Sequence, residues 1–171
     1  METKKYRIFR KAYKALKDCT PLNSDCGILC NKACCKGGDE KGMLLFPGEE
    51  EFLENNKYLN IRKTNIVFNN GYNVCFATCS GKCDRSQRPL SCMIFPLTPV
   101  IRDGRIYMEI DLRGIETCPL VNEPMKYMLD KKFIEKVYST INILQKLENS
   151  YEFLEILTKT QKSFKLLDKQ Q

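Results

Sequence analysis

Four thiols fall within ten residues at Cys26, Cys30, Cys34 and Cys35, and the flexible pair Gly37-Gly38 follows after Lys36. A second cluster stands at Cys75, Cys79, Cys83 and Cys92, and Cys118 comes later, alone. No other feature restricts the fold as much. Thiolates brought together repel one another unless a cation neutralises them, so bringing them together and binding metal become one event. The chain has ten cysteines and no histidine. Zinc here would be held by thiolates, with or without a carboxylate. The lack of imidazole also excludes histidine general-base chemistry and Cys–His nucleophilic catalysis.

A secreted disulfide scaffold is the main competing explanation for so many cysteines. The opening Met-Glu-Thr-Lys-Lys-Tyr-Arg has no apolar core of the export-signal kind. The chain, at 171 residues, is longer than most such scaffolds, and the adjacent Cys34 and Cys35 do not readily bridge to each other. A cytoplasmic protein with reduced thiols is the expectation. Hydrophobic residues make up 43% of the chain, enough for a real core, and no apolar run reaches the length of a membrane span.

The net charge of +7 is unevenly placed. Residues 1–18 carry seven Lys/Arg against two acids, and residues 124–171 carry nine against six. The segment between them carries twelve against thirteen. The cysteine region is therefore not basic, which argues against nucleic acid as its partner, since such binding rests on Lys and Arg meeting phosphates.

Three domains or segments are read from these shifts. Residues 1–18 form a basic amphipathic helix, with Tyr6, Phe9, Tyr13 and Leu16 on one face and Lys4, Arg7, Lys11 and Lys14 on another. Residues 19–123 form the Cys-rich unit. Within it Met43–Phe46 reads as a strand, and Pro47-Gly48-Glu49-Glu50-Glu51 as a helix start with acids at the positive end of the dipole. Asn69-Asn70-Gly71 and Asp103-Gly104 each signal a hairpin turn. Residues 124–171 form a helical hairpin or one interrupted helix, packed on the Cys-rich unit. Met128, Ile134, Val137, Tyr138, Ile141, Leu144 and Leu147 make its stripe, and Asn149 with Glu152 suggests a capping box for a second helical stretch. The predicted fold class is α+β: a small metal-stapled domain with short β-hairpins, flanked by an N-terminal helix and a C-terminal helical hairpin.

The cysteines in both clusters recur mainly every fourth residue. That step brings side chains to one face of a helix, or to one pocket of a turn-rich loop. Zinc ribbons use Cys-x2-Cys pairs, and none is present. The bacterial ferredoxin run is also absent. A radical S-adenosylmethionine signature would need cysteine at position 33, where Ala33 stands.

One family resemblance fits better. The run Cys83-Asp-Arg-Ser-Gln-Arg88-Pro89-Leu-Ser-Cys92-Met-Ile-Phe95-Pro96 resembles the "GxC…RPxxCRxFP" half of the YkgJ-like, CxxCxxCC-type zinc- or iron-chelating domain family. Cys26, Cys30, Cys34 and Cys35 resemble its opening half, and Cys118-Pro119 its last cysteine. The opening steps are one residue longer than the family name states, Met93 stands where arginine is usual, and Cys19 and Cys79 are additional. The resemblance implies a metal-ligand set of Cys26, Cys30, Cys34, Cys35, Cys75, Cys83, Cys92 and Cys118. Eight thiolates suffice for two four-ligand zinc sites, or for an iron–sulfur cluster with some to spare.

The family also includes proteins similar to flagellin lysine N-methylases. Three functions are therefore expected as alternatives. The first is a cytoplasmic metal-binding protein holding zinc or an iron–sulfur cluster. The second is a cluster-dependent redox or methyl-transfer enzyme, for which no glycine-rich nucleotide loop is visible. The third is a zinc-stabilised module for protein or nucleic-acid interaction, whose basic N-terminal helix meets an acidic partner or nucleic acid. Catalytic residues are not identified, and whether the chain is an enzyme stays open.

Overall fold

The computed structural model describes residues 3–38, 40–81 and 87–168. These fold as α+β, with six helices and two small antiparallel sheets. α1 (Lys4–Leu16) starts at Thr3, whose side chain accepts a hydrogen bond from the Tyr6 backbone N–H. Its inward face is Ile8, Phe9, Ala12 and Leu16, an i, i+1, i+4, i+8 set that leaves the lysines and arginines outside.

β1 (Gly42–Leu44), β2 (Leu59–Val67) and β3 (Asn73–Cys79) form the first sheet, in the order β1-β3-β2. Ala77 is the centre of the register, opposite Met43 on one side and Ile61 on the other. The turn around Asn69-Asn70-Gly71 joins β2 to β3 as expected, with Phe68 N–H donating to the Tyr72 carbonyl at 2.8 Å. The expected strand at Met43–Phe46 is shifted towards Gly42, and β2 reaches back from the turn as far as Leu59.

β4 (Leu97–Arg102) and β5 (Arg105–Ile110) make the second sheet. Asp103 and Gly104 turn between them at φ +48° and +70°. Both central residues are left-handed, as a turn matching the strand twist requires.

Four further helices complete the fold: α2 (Glu49–Phe52), α3 (Leu90–Ile94), α4 (Pro119–Asn122) and α5 (Lys131–Leu144), with α6 (Ser150–Asp168) closing the described chain. α5 and α6 are separate helices with different main partners. α5 packs on α1, whereas α6 packs on β4. Thr158 of α6 accepts from Ile101 N–H at 2.9 Å, and the Gln161 side chain binds Leu112 N–H and the Ile110 carbonyl.

Two C-terminal expectations fail. Met128 lies before α5 and is 88% exposed, so it is outside the stripe. Asn149 has φ +59°, which removes it from the extended backbone of a capping residue. Glu152 instead accepts the backbone and side-chain N–H groups of Asn69, at 2.9 and 2.6 Å. A contact across the fold replaces the local cap.

The main core unites α1, α3, α5, α6 and the two sheets. Phe9, Leu16, Leu90, Val137 and Phe153 are fully enclosed in it. It thus draws on the basic N-terminal segment, the middle of the chain and the C-terminal helices alike. No described helix is long and apolar enough to cross a membrane.

Candidate metal centre

The first cysteine cluster folds as turns, not as a helix face. After α1, the Asp130 N–H donates to the Pro21 carbonyl at 2.8 Å and fixes the start of the loop. Asp25 then caps a short turn at Cys26–Ile28 by accepting from Gly27 N–H at 2.9 Å. Asn31 and Lys32 are left-handed, at φ +49° and +54°, and reverse the chain into a second short turn at Ala33–Cys35. Gly37 closes the loop where it meets the end of β3. A Cβ on Gly37 would stand 2.4 Å from the Cys79 carbonyl oxygen, so this approach requires glycine.

This winding gathers the thiols. The Sγ atoms of Cys34 and Cys35 are 3.8 Å apart. Their hydrogen bond draws the Cys34 thiol below its ordinary pKa, against burial and the neighbouring charges of Cys30, Cys26 and Cys118. Cys118 arrives from the other end of the middle segment, on the turn that begins α4. It is buried in a satellite core with Leu120, Val121 and Phe95, and Cys26 packs against that core. Burial pushes the Cys118 thiol up, hydrogen bonding to Leu120 N–H pulls it down, and the charge of Cys30 pushes it up again. Cys26, Cys30, Cys34, Cys35 and Cys118 are thus one electrostatic neighbourhood.

The second cluster is divided. Cys75 and Cys79 lie on β3, where a four-residue step spans about 13 Å instead of closing a pocket. The same spacing that converges in a loop diverges in a strand. Cys75 is buried against Leu45 and Leu53, and burial raises its pKa, with Glu50 raising it further and Lys63 lowering it. Cys79 sits beside the first loop, its Sγ accepting from Gly81 N–H at 3.3 Å. Gly81 itself lies against the carbonyls of Cys35 and Lys36. Cys92 is on α3, started by Pro89, and its charge acts on Tyr13. Cys83 lies outside the described residues. Cys19 is half-buried at the end of α1, with Ala15 O as its acceptor. Among the described residues, no three Cys, Asp or Glu side chains form a group that would hold a metal ion as they stand.

A second polar centre lies inside the main fold. Glu49 is wholly buried. Its Oε1 accepts from the Tyr13 hydroxyl at 2.6 Å and from Leu90 N–H at 2.7 Å, and its Oε2 accepts from Phe46 N–H at 2.9 Å. One carboxylate therefore ties α1, α2 and α3 to the end of the first strand. Burial raises its pKa to about 7, against the pull of these three donors. Tyr13 is raised far above its usual value by burial and by the charge of Glu49. The sequence reading placed Glu49 at a helix start but not inward. The available signal was its position: Glu49, Phe52 and Leu53 share one helical face.

Beside this centre a cleft of about 420 Å³ is lined by Lys4, Lys146, Phe46, Glu50, Tyr72 and Cys75, among others. It is a separate place from the thiol loop, and Cys75 is the cysteine that reaches it.

No protein-family model matches the chain, and no curated protein or solved structure matches it either.

Proposed function

We propose that the protein binds a thiophilic metal, as zinc or as an iron–sulfur cluster, through thiolates of the Cys26–Cys35 loop and Cys118. The observation that carries this reading is the packing of Cys26 against the core that buries Cys118, near enough to Cys30 and Cys34 for their charges to act on one another, although more than eighty residues separate Cys118 from the loop. The donor set supports it as well. Two thiolates about 2.3 Å from a tetrahedral zinc stand about 3.8 Å apart, and Cys34 and Cys35 are separated by that distance. The lowered pKa of Cys34 favours the thiolate, the form that ligates.

The loop also lacks an apolar core of its own. Ile28 is 78% exposed and Leu29 is 42% exposed. A segment that buries so little needs another staple, and metal is the one its residues can supply. Cys83 enters the proposal from the sequence, and Cys79 from its place beside the loop. Membership in the YkgJ-like family and a reducing, cytoplasmic location belong to the same proposal.

Protein purified without air should contain metal in fixed stoichiometry. A colourless protein with zinc assigns the first form, and a visible thiolate–iron absorption band assigns the second. A folded protein that contains no metal and is unaffected by chelators overturns both.

A further inference from the structure

The two basic ends of the sequence are brought together by the fold. α1 and α5 pack side by side and run antiparallel. Lys4, Lys5 and Ile8 at the start of α1 share one cleft with Lys146 and Leu147 just past the end of α5. At the opposite end, Asp130 before α5 is hydrogen-bonded to Pro21 after α1.

Each helix turns a basic row outwards along this seam. On α1, Tyr6, Phe9 and Tyr13 contact the Phe52 ring of α2, with centroids 5.5, 5.7 and 5.0 Å away. At 100° per residue, Lys4 and Lys11 project from the flank away from Phe52, towards α5, and Arg7 and Lys14 adjoin them. On α5, the Tyr138 hydroxyl accepts from Met108 N–H of β5 at 3.2 Å. Lys132 and Lys136 lie about 120–160° around that helix from Tyr138, on the flank facing α1. Lys4, Arg7, Lys11, Lys14, Lys132 and Lys136 are all exposed. Among the described residues none of the six makes an ion pair.

We infer that this two-helix surface binds the phosphodiester backbone of a nucleic acid. The alternatives need features this face does not offer. A protein partner would seek an apolar centre within the charged rim, and an amphipathic membrane contact would need apolar side chains to insert. α1 and α5 expose one large apolar side chain each, Tyr6 and Tyr138, both on the flanks turned away from the seam. What remains is a track about 20 Å long of cations without an ion pair among the described residues, with Asp18 and Glu135 along it, Asp130 at one end, and Glu50, Glu51 and Glu148 lining the cleft at the other. Such a track recognises phosphates by charge and carries no means of reading bases. The inference is independent of the metal proposal, since it uses no residue of the thiol loop.

The test uses the full chain as purified, with a fluorescently labelled RNA single strand and a DNA duplex as separate anisotropy probes. Binding to at least one is expected, with log K falling against log salt at a slope of about −3 to −5. The double variant Lys11→Gln/Lys136→Gln should weaken it about tenfold and flatten the slope by about 1.5–2. The control Lys159→Gln/Lys162→Gln removes the same charge from the exposed face of α6 and should stay within about twofold of the parent. Binding to neither probe overturns the inference. So does an equal loss in both variants, or tighter binding to phosphatidylserine vesicles or polyglutamate than to either oligonucleotide. Thermal unfolding of both variants at the parent's temperature confirms that folding is not what changed.

Discussion

Glu49 and the thiols of the Cys26–Cys35 loop are the two concentrations of reactive side chains in the described fold, and they are housed in opposite ways. Glu49 is fully enclosed, and the chain itself supplies three donors to its two oxygens. The loop thiols lie in a half-exposed lobe, and the partner shown for Cys34 is another thiol. The body around Glu49 is closed by apolar burial, with Phe9, Leu16 and Phe46 sealed beside it. The lobe has turns, caps and a required glycine, but its isoleucine and leucine face solvent. A buried carboxylate held by three donors of its own chain belongs to the architecture. The half-exposed thiols of the loop are where the proposed metal would be held.

The sharpest way to break this contrast is to remove the carboxylate. Glu49→Ala leaves the Phe46 and Leu90 N–H groups and the Tyr13 hydroxyl buried without their acceptor. The expected loss is on the order of 3–5 kcal/mol, read as a lowered urea midpoint with little change in slope. A loss below about 1 kcal/mol would mean that water replaces the carboxylate and the centre is not closed.

A pH series tests the same centre more gently. The folded pKa of Glu49, about 7, lies above its ordinary value of 4.5. The folded state therefore binds more protons than the unfolded state between these values. The contribution of this group should be fully present below about pH 4.5, fall as pH rises, and be lost above about 7, with a total on the order of 3 kcal/mol. Glu49→Gln carries no titrating proton and should remove this part of the slope, at the cost of an acceptor for one backbone N–H. A wild-type slope that survives in Glu49→Gln assigns the pH dependence elsewhere.

Thr140 offers a third case within the body. It is wholly buried on α5, and its hydroxyl has no hydrogen-bond partner among the described residues. Thr140→Val keeps the shape and removes the unsatisfied group, so it should stabilise the fold by about 1 kcal/mol. Destabilisation would show that the hydroxyl is satisfied in solution.

The sequence made the body more legible than the lobe, for reasons that lie in periodicity. α1, α5 and α6 each carry a helical stripe, and Asp103-Gly104 dictates its turn. β2 is only half visible because the alternation of Leu59-Asn60-Ile61-Arg62 is short and stops at Lys63; the strand lies at a sheet edge, where charged residues are tolerated and deter further pairing. α3 is too short to show a period at all. Asn149 and Glu152 had the right spacing for a cap, but a distant partner, Asn69, took the carboxylate. For the candidate site, the crowding at Cys26–Cys35 was plain in the spacing. Cys118 stands too far along the chain for spacing to connect it, and only the family resemblance does so; the four-residue step from Cys75 to Cys79 is the same as that from Cys26 to Cys30. Only the backbone conformation decides whether such a step converges, and a strand decides against it.

The smallest global effect belongs to the lobe, and it is the most informative about the proposed metal. The body has its own closed core, whereas residues 24–36 contribute little apolar burial beyond Gly27. Cys34→Ser, or a chelator added to the parent, should therefore shift the unfolding of the body by less than about 1 kcal/mol. The lobe itself should open, since thiolates that lose their cation repel and have few other contacts to hold them. Limited proteolysis should then cut within 24–41 much faster in Cys34→Ser than in the parent, with the remainder of the chain protected. Cys75→Ser is the matched control: it lies on β3, and metal content and cleavage in the lobe should stay at parental levels. Equal loss of metal from both variants would join Cys75 to the site and erase the division between body and lobe. Retained metal in Cys34→Ser, with Cys118→Ser also loaded, would remove the loop from the site altogether.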